Sequence, residues 1–166
     1  MASTDLFLYD EEFQQIRAIL QKLKAAANAK MVFLVDKNGQ QIAYNGDLNN
    51  LDTTSLASLT AGNVAATDGL ARLIGEKEFS VLFHEGEKDN IHISVVGKRV
   101  ILVVIFDERS SLGLVRLRVK KASGDLELVF TRILEKVEKE KETGGAGYES
   151  PFAEITDEDI DSLFSE

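Results

Sequence analysis

The chain of 166 residues contains no cysteine and no tryptophan, a single proline (Pro151) and two histidines, His84 and His92. Without cysteine there is no disulfide scaffold, no thiolate zinc site and no cysteine nucleophile. With so few histidines, a multi-histidine metal centre is also excluded. No apolar run approaches the ~18 to 20 residues of a membrane span, and the N-terminus lacks the charged-then-apolar order of a signal peptide. The expected compartment is therefore the cytoplasm, without membrane insertion. Basic residues are short too, 19 against 28 acids, for a formal net charge of −9. Nucleic-acid and anionic-lipid binding both begin with a clustered positive patch, so this balance argues against either partner.

What is present is unevenly placed. Residues 149 to 166 carry seven acids and no base, which leaves 21 acids against 19 bases in the rest. The preceding stretch TGGAGYESP, residues 143 to 151, has the composition of a flexible joint. The sequence thus divides into a nearly neutral globular body (1–142), a glycine-rich linker (143–151) and an acidic C-terminal peptide (152–166).

Within the body, Phe13, Ile16, Ile19, Leu20, Leu23 and Ala27 recur at helical spacing, predicting a helix over 10–28 with Asp10 as N-cap and Asn28 as stop signal. Strands are expected at 31–36 and 40–45 around Asn38-Gly39, a two-residue hairpin turn in which both central residues take positive φ. A second helix follows Asp52 through TTSLASLTAGNVAATDGLARLIG. Strands then come from EFSVLFHE (78–85), NIHISVV (90–96) and RVILVVIFDE (99–108). In the second of these, Ile91, Ile93 and Val95 are expected on a buried face and Asn90, His92 and Ser94 on a wet one. The third, apolar without alternation, suits a central strand covered on both sides. A long helix from about 111 to 141 carries Val115, Val119, Ala122, Leu126, Val129, Phe130, Ile133 and Val137, and Gly124 inside it weakens the expectation that it is straight. The order α-β-β-α-β-β-β-α with hairpin connections predicts an antiparallel sheet covered by helices, an α/β sandwich of the α+β class.

The second helix is unusual. Thirteen of its residues from Thr53 to Ala71 are Ala, Gly, Ser or Thr. At about 100° per residue, Leu56, Leu59, Leu70, Leu73 and Ile74 share one face, expected to pack on the sheet. Ser58, Gly62, Ala65 and Gly69 form a second stripe where lysine, glutamate and arginine would ordinarily stand; only Asp68 and Arg72 approach it. Glycine inside a helix costs roughly 1 kcal/mol relative to alanine. Such a stripe can pack on another helix of the same protomer, or it can be kept smooth for close approach by another polypeptide. The first and third helices need one face of the sheet, which leaves the second alone on the other and favours the latter reading. The candidate docking residues are Ser58, Ala61, Gly62, Ala65, Gly69 and Arg72.

The C-terminal peptide offers a second candidate surface. Thr156 and Asp159 approximate a capping box, with Ile155 and Ile160 placed as a hydrophobic staple. Phe152, Ile155, Ile160, Leu163 and Phe164 supply apolar contacts. So short a segment does not hold a helix alone. It reads as a peptide that folds on a partner, an acidic solubilising tail, or a helix docked on its own body. Other patterns carry less: Asp36-Lys37-Asn38-Gly39 lacks the remaining ligands of a calcium loop, both histidines read as exposed sheet residues, and Glu11 and Glu12 lie on an expected solvated helix face.

The segments VFLVDKNGQ (32–40), DTTSLASLTAGNVAA (52–66), VVIFDERSSLGLVRLRVKKAS (103–123) and SPFAEITDEDIDSLFSE (150–166) together resemble the bacterial Roadblock-domain regulators of gliding-motility polarity. The resemblance spans nearly the whole chain. It implies a five-stranded antiparallel sheet with the second helix on one face and the first and third on the other. It also implies a homodimer joined through the third strands and second helices, and GTPase activation towards a small Ras-like GTPase in its GTP form, bound on the paired second helices. The C-terminal segment is then implied to contact the GTPase elsewhere and adjust nucleotide exchange, at a cell pole of a motile bacterium. The chain has no GxxxxGK[ST] loop of its own. The resemblance implies that the dimer repositions the GTPase's own arginine and glutamine, so no catalytic residue, metal ligand or cofactor is expected here; GTP and magnesium belong to the partner. Arg72 is the one candidate for an arginine supplied in trans, whereas Arg109, Arg116 and Arg118 read as structural or surface charges. Two other readings remain: a Roadblock scaffold that recruits a GTPase without stimulating it, and a small-molecule-binding sheet domain.

Overall fold

The structure, a computed structural model, describes residues 2–47 and 50–142, with side chains of the first helix from Tyr9 onward. The elements follow the expected order: α1 (Ala2–Ala26), β1 (Met31–Asp36), β2 (Gln41–Gly46), α2 (Thr53–Leu73), β3 (Val81–Glu85), β4 (Asn90–Val96), β5 (Val100–Phe106) and α3 (Leu112–Glu142). All pairings are antiparallel, in the spatial order β2-β1-β5-β4-β3. This is the α+β sandwich expected. The C-terminal peptide and linker lie outside the described residues.

Alternation along the strands separates two cores. In β1, Val32 and Leu34 point to α1 and α3, where they join Leu102, Val104 and Phe106 of β5. Met31, Phe33 and Val35 point to α2 with Ile101 and Val103. β5 is covered on both sides, as its unbroken apolar run suggested. The apolar stripe of α3 is buried throughout, from Val115 to Val137. Polar contacts fix the antiparallel register of α1 on α3: Tyr9 Oη donates to Glu140 Oε2 at 2.9 Å, Glu12 pairs with Lys136, and Arg132 Nη1 donates to Gln15 Oε1 at 3.0 Å.

Several local expectations are corrected. α1 begins at Ala2, so Asp10 sits inside the helix and does not cap it. Its end is where Asn28 stood as the signal: Asn28 adopts φ 51°, and its side chain donates to the Arg109 carbonyl at 2.7 Å. Glu12 is buried against α3, because the helix face it occupies is covered once α3 docks. β3 starts at Val81, three residues later than expected.

The hairpin turn is longer than the two-residue form. Asp36 Oδ1 accepts from the amides of Asn38 and Gln40, both at 2.9 Å, and Val35 pairs with Gln41 through a register shift. Within the turn only Gly39 has positive φ, at 93°. The aspartate thus replaces one backbone turn with its own carboxylate, as Asx residues do.

β4 is covered on both sides: Ile93 is buried as expected, but so are the residues expected to be wet. His92 and Ser94 are buried, His92 at 1% exposure, whereas Ile91 and Val95 are only half-buried. His92 pairs with Phe83 and Val104 on the face covered by α1 and α3. The polar residues lie on the fully roofed side and the apolar ones on the side that α2 covers only in part.

Candidate functional site

α2 begins at Asp52, whose carboxylate accepts from the Ser55 amide at 3.0 Å and the Ser55 hydroxyl at 2.7 Å. The Ser55 hydroxyl, then its amide, hold the Asp52 carboxyl below the usual aspartate value. The helix ends where Gly75 takes φ 84° and the Glu76 amide returns to the Ala71 carbonyl at 2.8 Å, a glycine-based stop. Thr60 and Thr67 turn their hydroxyls back to the carbonyls of Leu56 and Asn63, so neither leaves an unmade polar contact.

The face that α2 buries is not the leucine stripe. Ala57, Ala61, Val64 and Ala71 pack inward, while Leu59, Leu70, Leu73 and Ile74 are 72%, 57%, 82% and 69% exposed. Of the expected stripe only Leu56 packs against the sheet. The reason is close approach. A Cβ on Gly39, in the β1–β2 turn, would lie 3.3 Å from the Ser58 Cα and 3.7 Å from the Ala61 Cβ. Beside that turn the helix leaves room only for small side chains, here Ser58 and Ala61. Periodicity alone identifies two apolar stripes and points to the larger as core; the signal that could reverse the choice is the second, alanine-rich period through 57, 61, 64 and 71.

The candidate docking residues divide accordingly. Ser58, Gly62, Ala65, Gly69 and Arg72 are exposed, whereas Ala61 is buried under the helix and belongs to the inner stripe. A Cβ at Gly62 or Gly69 would meet nothing within 4 Å, so packing within the protomer does not require glycine at either place. Asp68 lies half-buried towards the sheet and does not join the outer stripe. The outer face of α2 therefore combines the smooth positions with four exposed large apolar residues that the sequence reading placed inside.

This face borders an open sheet edge. Among the described residues no strand pairs with the outer side of β3. Val81 on that edge is exposed, and Leu82, Ile91, Val95 and Ile105 are half-buried below. Asn63 Nδ2 lies 2.9 Å from His84 Nε2, tying the helix to the edge strand. The two histidines do not meet, since His84 pairs with Ile91 and faces α2. An apolar helix face next to an unpaired strand can accept a strand and a helix from another chain at once.

Other candidate residues lie apart from this surface. Arg109, itself exposed, forks onto half-buried Asp107 at 3.1 Å, and these hydrogen bonds lower the aspartate and raise the arginine. Arg118 borders a groove between α1 and α3. Among the described residues no group of histidine, aspartate and glutamate is arranged to hold a metal ion, and no helix is long and apolar enough to cross a membrane. Phe152, Ile155, Ile160, Leu163 and Phe164 lie outside the described residues.

The Roadblock/LC7 domain model matches residues 15–106. Among solved structures the chain is similar to MglB of Myxococcus xanthus, with 63% identity, a TM-score of 0.71 and coverage of 74% of this chain and 92% of that one. It is also similar to the gliding protein MglB of Thermus thermophilus, with 32% identity, a TM-score of 0.68 and coverage of 71% and 90%. A third similar structure is an MglB in a tetrameric arrangement, with 30% identity, a TM-score of 0.67 and coverage of 71% and 89%. No curated protein matches in the corresponding sequence comparison.

Proposed function

The chain belongs to the Roadblock/LC7 domain family, and we propose that it acts as a homodimer that activates a small Ras-like, MglA-like GTPase. One observation carries this reading: the outer face of α2, with Leu59, Leu70, Leu73 and Ile74 exposed, lies beside the unpaired edge of β3. A second copy related by a two-fold axis supplies the same helix and strand in return, which is the self-complementary contact a symmetric dimer needs. Pairing two β3 edges continues the sheet and removes both from solvent, and the half-buried Leu82, Ile91 and Val95 gain cover.

The smooth positions Ser58, Gly62, Ala65 and Gly69 then lie along the paired helices as a platform that a GTPase can approach closely. The resemblance implies that this contact repositions the partner's own arginine and glutamine. GTP, magnesium and the chemistry belong to the partner, and this chain supplies shape. Its acidic C-terminal peptide provides a second contact that adjusts exchange, and the setting is the polarity system of a gliding bacterium. The test is single-turnover GTP hydrolysis by the cognate GTPase, with and without this protein and its Ala65→Arg variant. Acceleration by the wild type that the variant loses, with its thermal transition unchanged, is the expected result. Binding without acceleration would replace activation with the scaffold reading.

A further inference from the structure

The helical layer of α1 and α3 is electrically polarised along its length. Residues 13–26 and 112–124 hold seven basic side chains and no acid. The other end is acidic, with Asp10, Glu11 and Glu12 on α1 and six acids against four bases in residues 125–142. At the basic end the two helices leave a groove of about 240 Å³. Its floor is apolar, formed by half-buried Ile19 with Leu23 and Ala122, and its rim carries exposed Lys22, Arg118 and Lys121. The one acid lining it, Asp125, stands 4.0 Å from the Lys121 ammonium.

We propose that this groove is the docking site of the chain's own acidic C-terminal peptide, residues 152–166. The chemistry is complementary on both counts: the peptide brings Ile155, Ile160, Leu163 and Phe164 for an apolar floor and acids for a basic rim. The reach is sufficient. From Glu142 back to Asp125 along α3 is about 26 Å at 1.5 Å per residue, and the ten residues from Glu142 to Phe152 extend to about 33 Å. The peptide leaves from the acidic end of the layer, which repels it, towards the basic end, which attracts it. Tethering raises its effective concentration at the groove far above that of a free peptide. The groove lies on the opposite side of the sheet from α2, so the inference stands whether or not α2 docks a GTPase. Docked there, the peptide's apolar residues are withheld from any other partner until one competes for them.

The natural lack of cysteine makes the test clean. A spin label on Ser165→Cys of the full chain is expected to broaden the amide signals of Lys22, Ala26 and Arg118 selectively. The Arg118→Glu, Lys121→Glu double variant, both positions being exposed, should lose that broadening while keeping its thermal transition, and ~0.5 M salt should weaken it in the wild type. Selective broadening that charge reversal does not change would overturn the proposal, as would its absence from the groove. Broadening seen only when isotope-labelled untagged protein is mixed with tagged protein would also overturn it, by assigning the groove to the peptide of a second copy.

Discussion

The two faces of the sheet are built from the same strands, yet one is finished within the protomer and the other is not. Beneath α1 and α3, even His92 and Ser94 are out of solvent and the stripes of both helices are covered. Beneath α2, Leu82, Ile91, Val95 and Ile105 remain half-open and the helix turns its large apolar residues outward. Two long helices roof one face, whereas a single helix, held close by its alanines, leaves part of the other uncovered. The difference separates residues that make the fold from residues available to a second chain.

Breaking the finished face should have the largest effect. Leu126→Ala, at a fully buried position, is expected to cost ~2 to 5 kcal/mol, read as a fall in the urea midpoint; a loss under about 1 kcal/mol would mean that this core is looser than its burial indicates. Leu73→Glu on the open face should leave the far-ultraviolet spectrum of the body unchanged and shift the sedimenting species from dimer to protomer. A dimer that survives it would place the contact elsewhere.

The third test concerns acid. Burial, then the Arg116 charge, push the His92 imidazole below its usual value. The unfolded chain therefore binds a proton near pH 6.5 that the folded chain refuses, and stability present above that pH is lost as pH falls towards the depressed folded value. Urea midpoints at about pH 7.5 and 5.5 should separate more for the wild type than for His92→Leu; equal separations would mean another group sets the acid limb. The smallest effect sharpens the open face: Gly62→Ala adds a Cβ that meets nothing in the protomer. It should raise helix stability by about 0.5 to 1 kcal/mol in the dissociated protomer while weakening assembly, and a loss of protomer stability would count against the open position.

Much of this is legible because periodicity reports which residues share a side. The eight-element order and the α3 stripe from Val115 to Val137 follow from apolar spacing, and the end of α1 at Asn28 from local backbone chemistry. The errors of burial share one cause. Periodicity groups residues into sides without saying which side another element will cover. Glu12 reads as solvated until α3 is laid over it, and His92 does so because a polar side is equated with a wet one. Leu59, Leu70 and Leu73 read as core because they form the bulkier of two apolar stripes.

The sequence by itself determined the class of fold, the concentration of acidic residues in positions 149–166, and the absence of cysteine. These depend on composition and on spacing within single elements. Only the tertiary structure decided which stripe of α2 faces inward, that β3 is an edge, and that Lys22, Arg118 and Lys121 rim one groove. Those outcomes depend on distances between segments far apart in the chain. The approach of α2 to Gly39, which sets Ser58 and Ala61 against the turn, is a relation between two elements that neither one's own pattern contains.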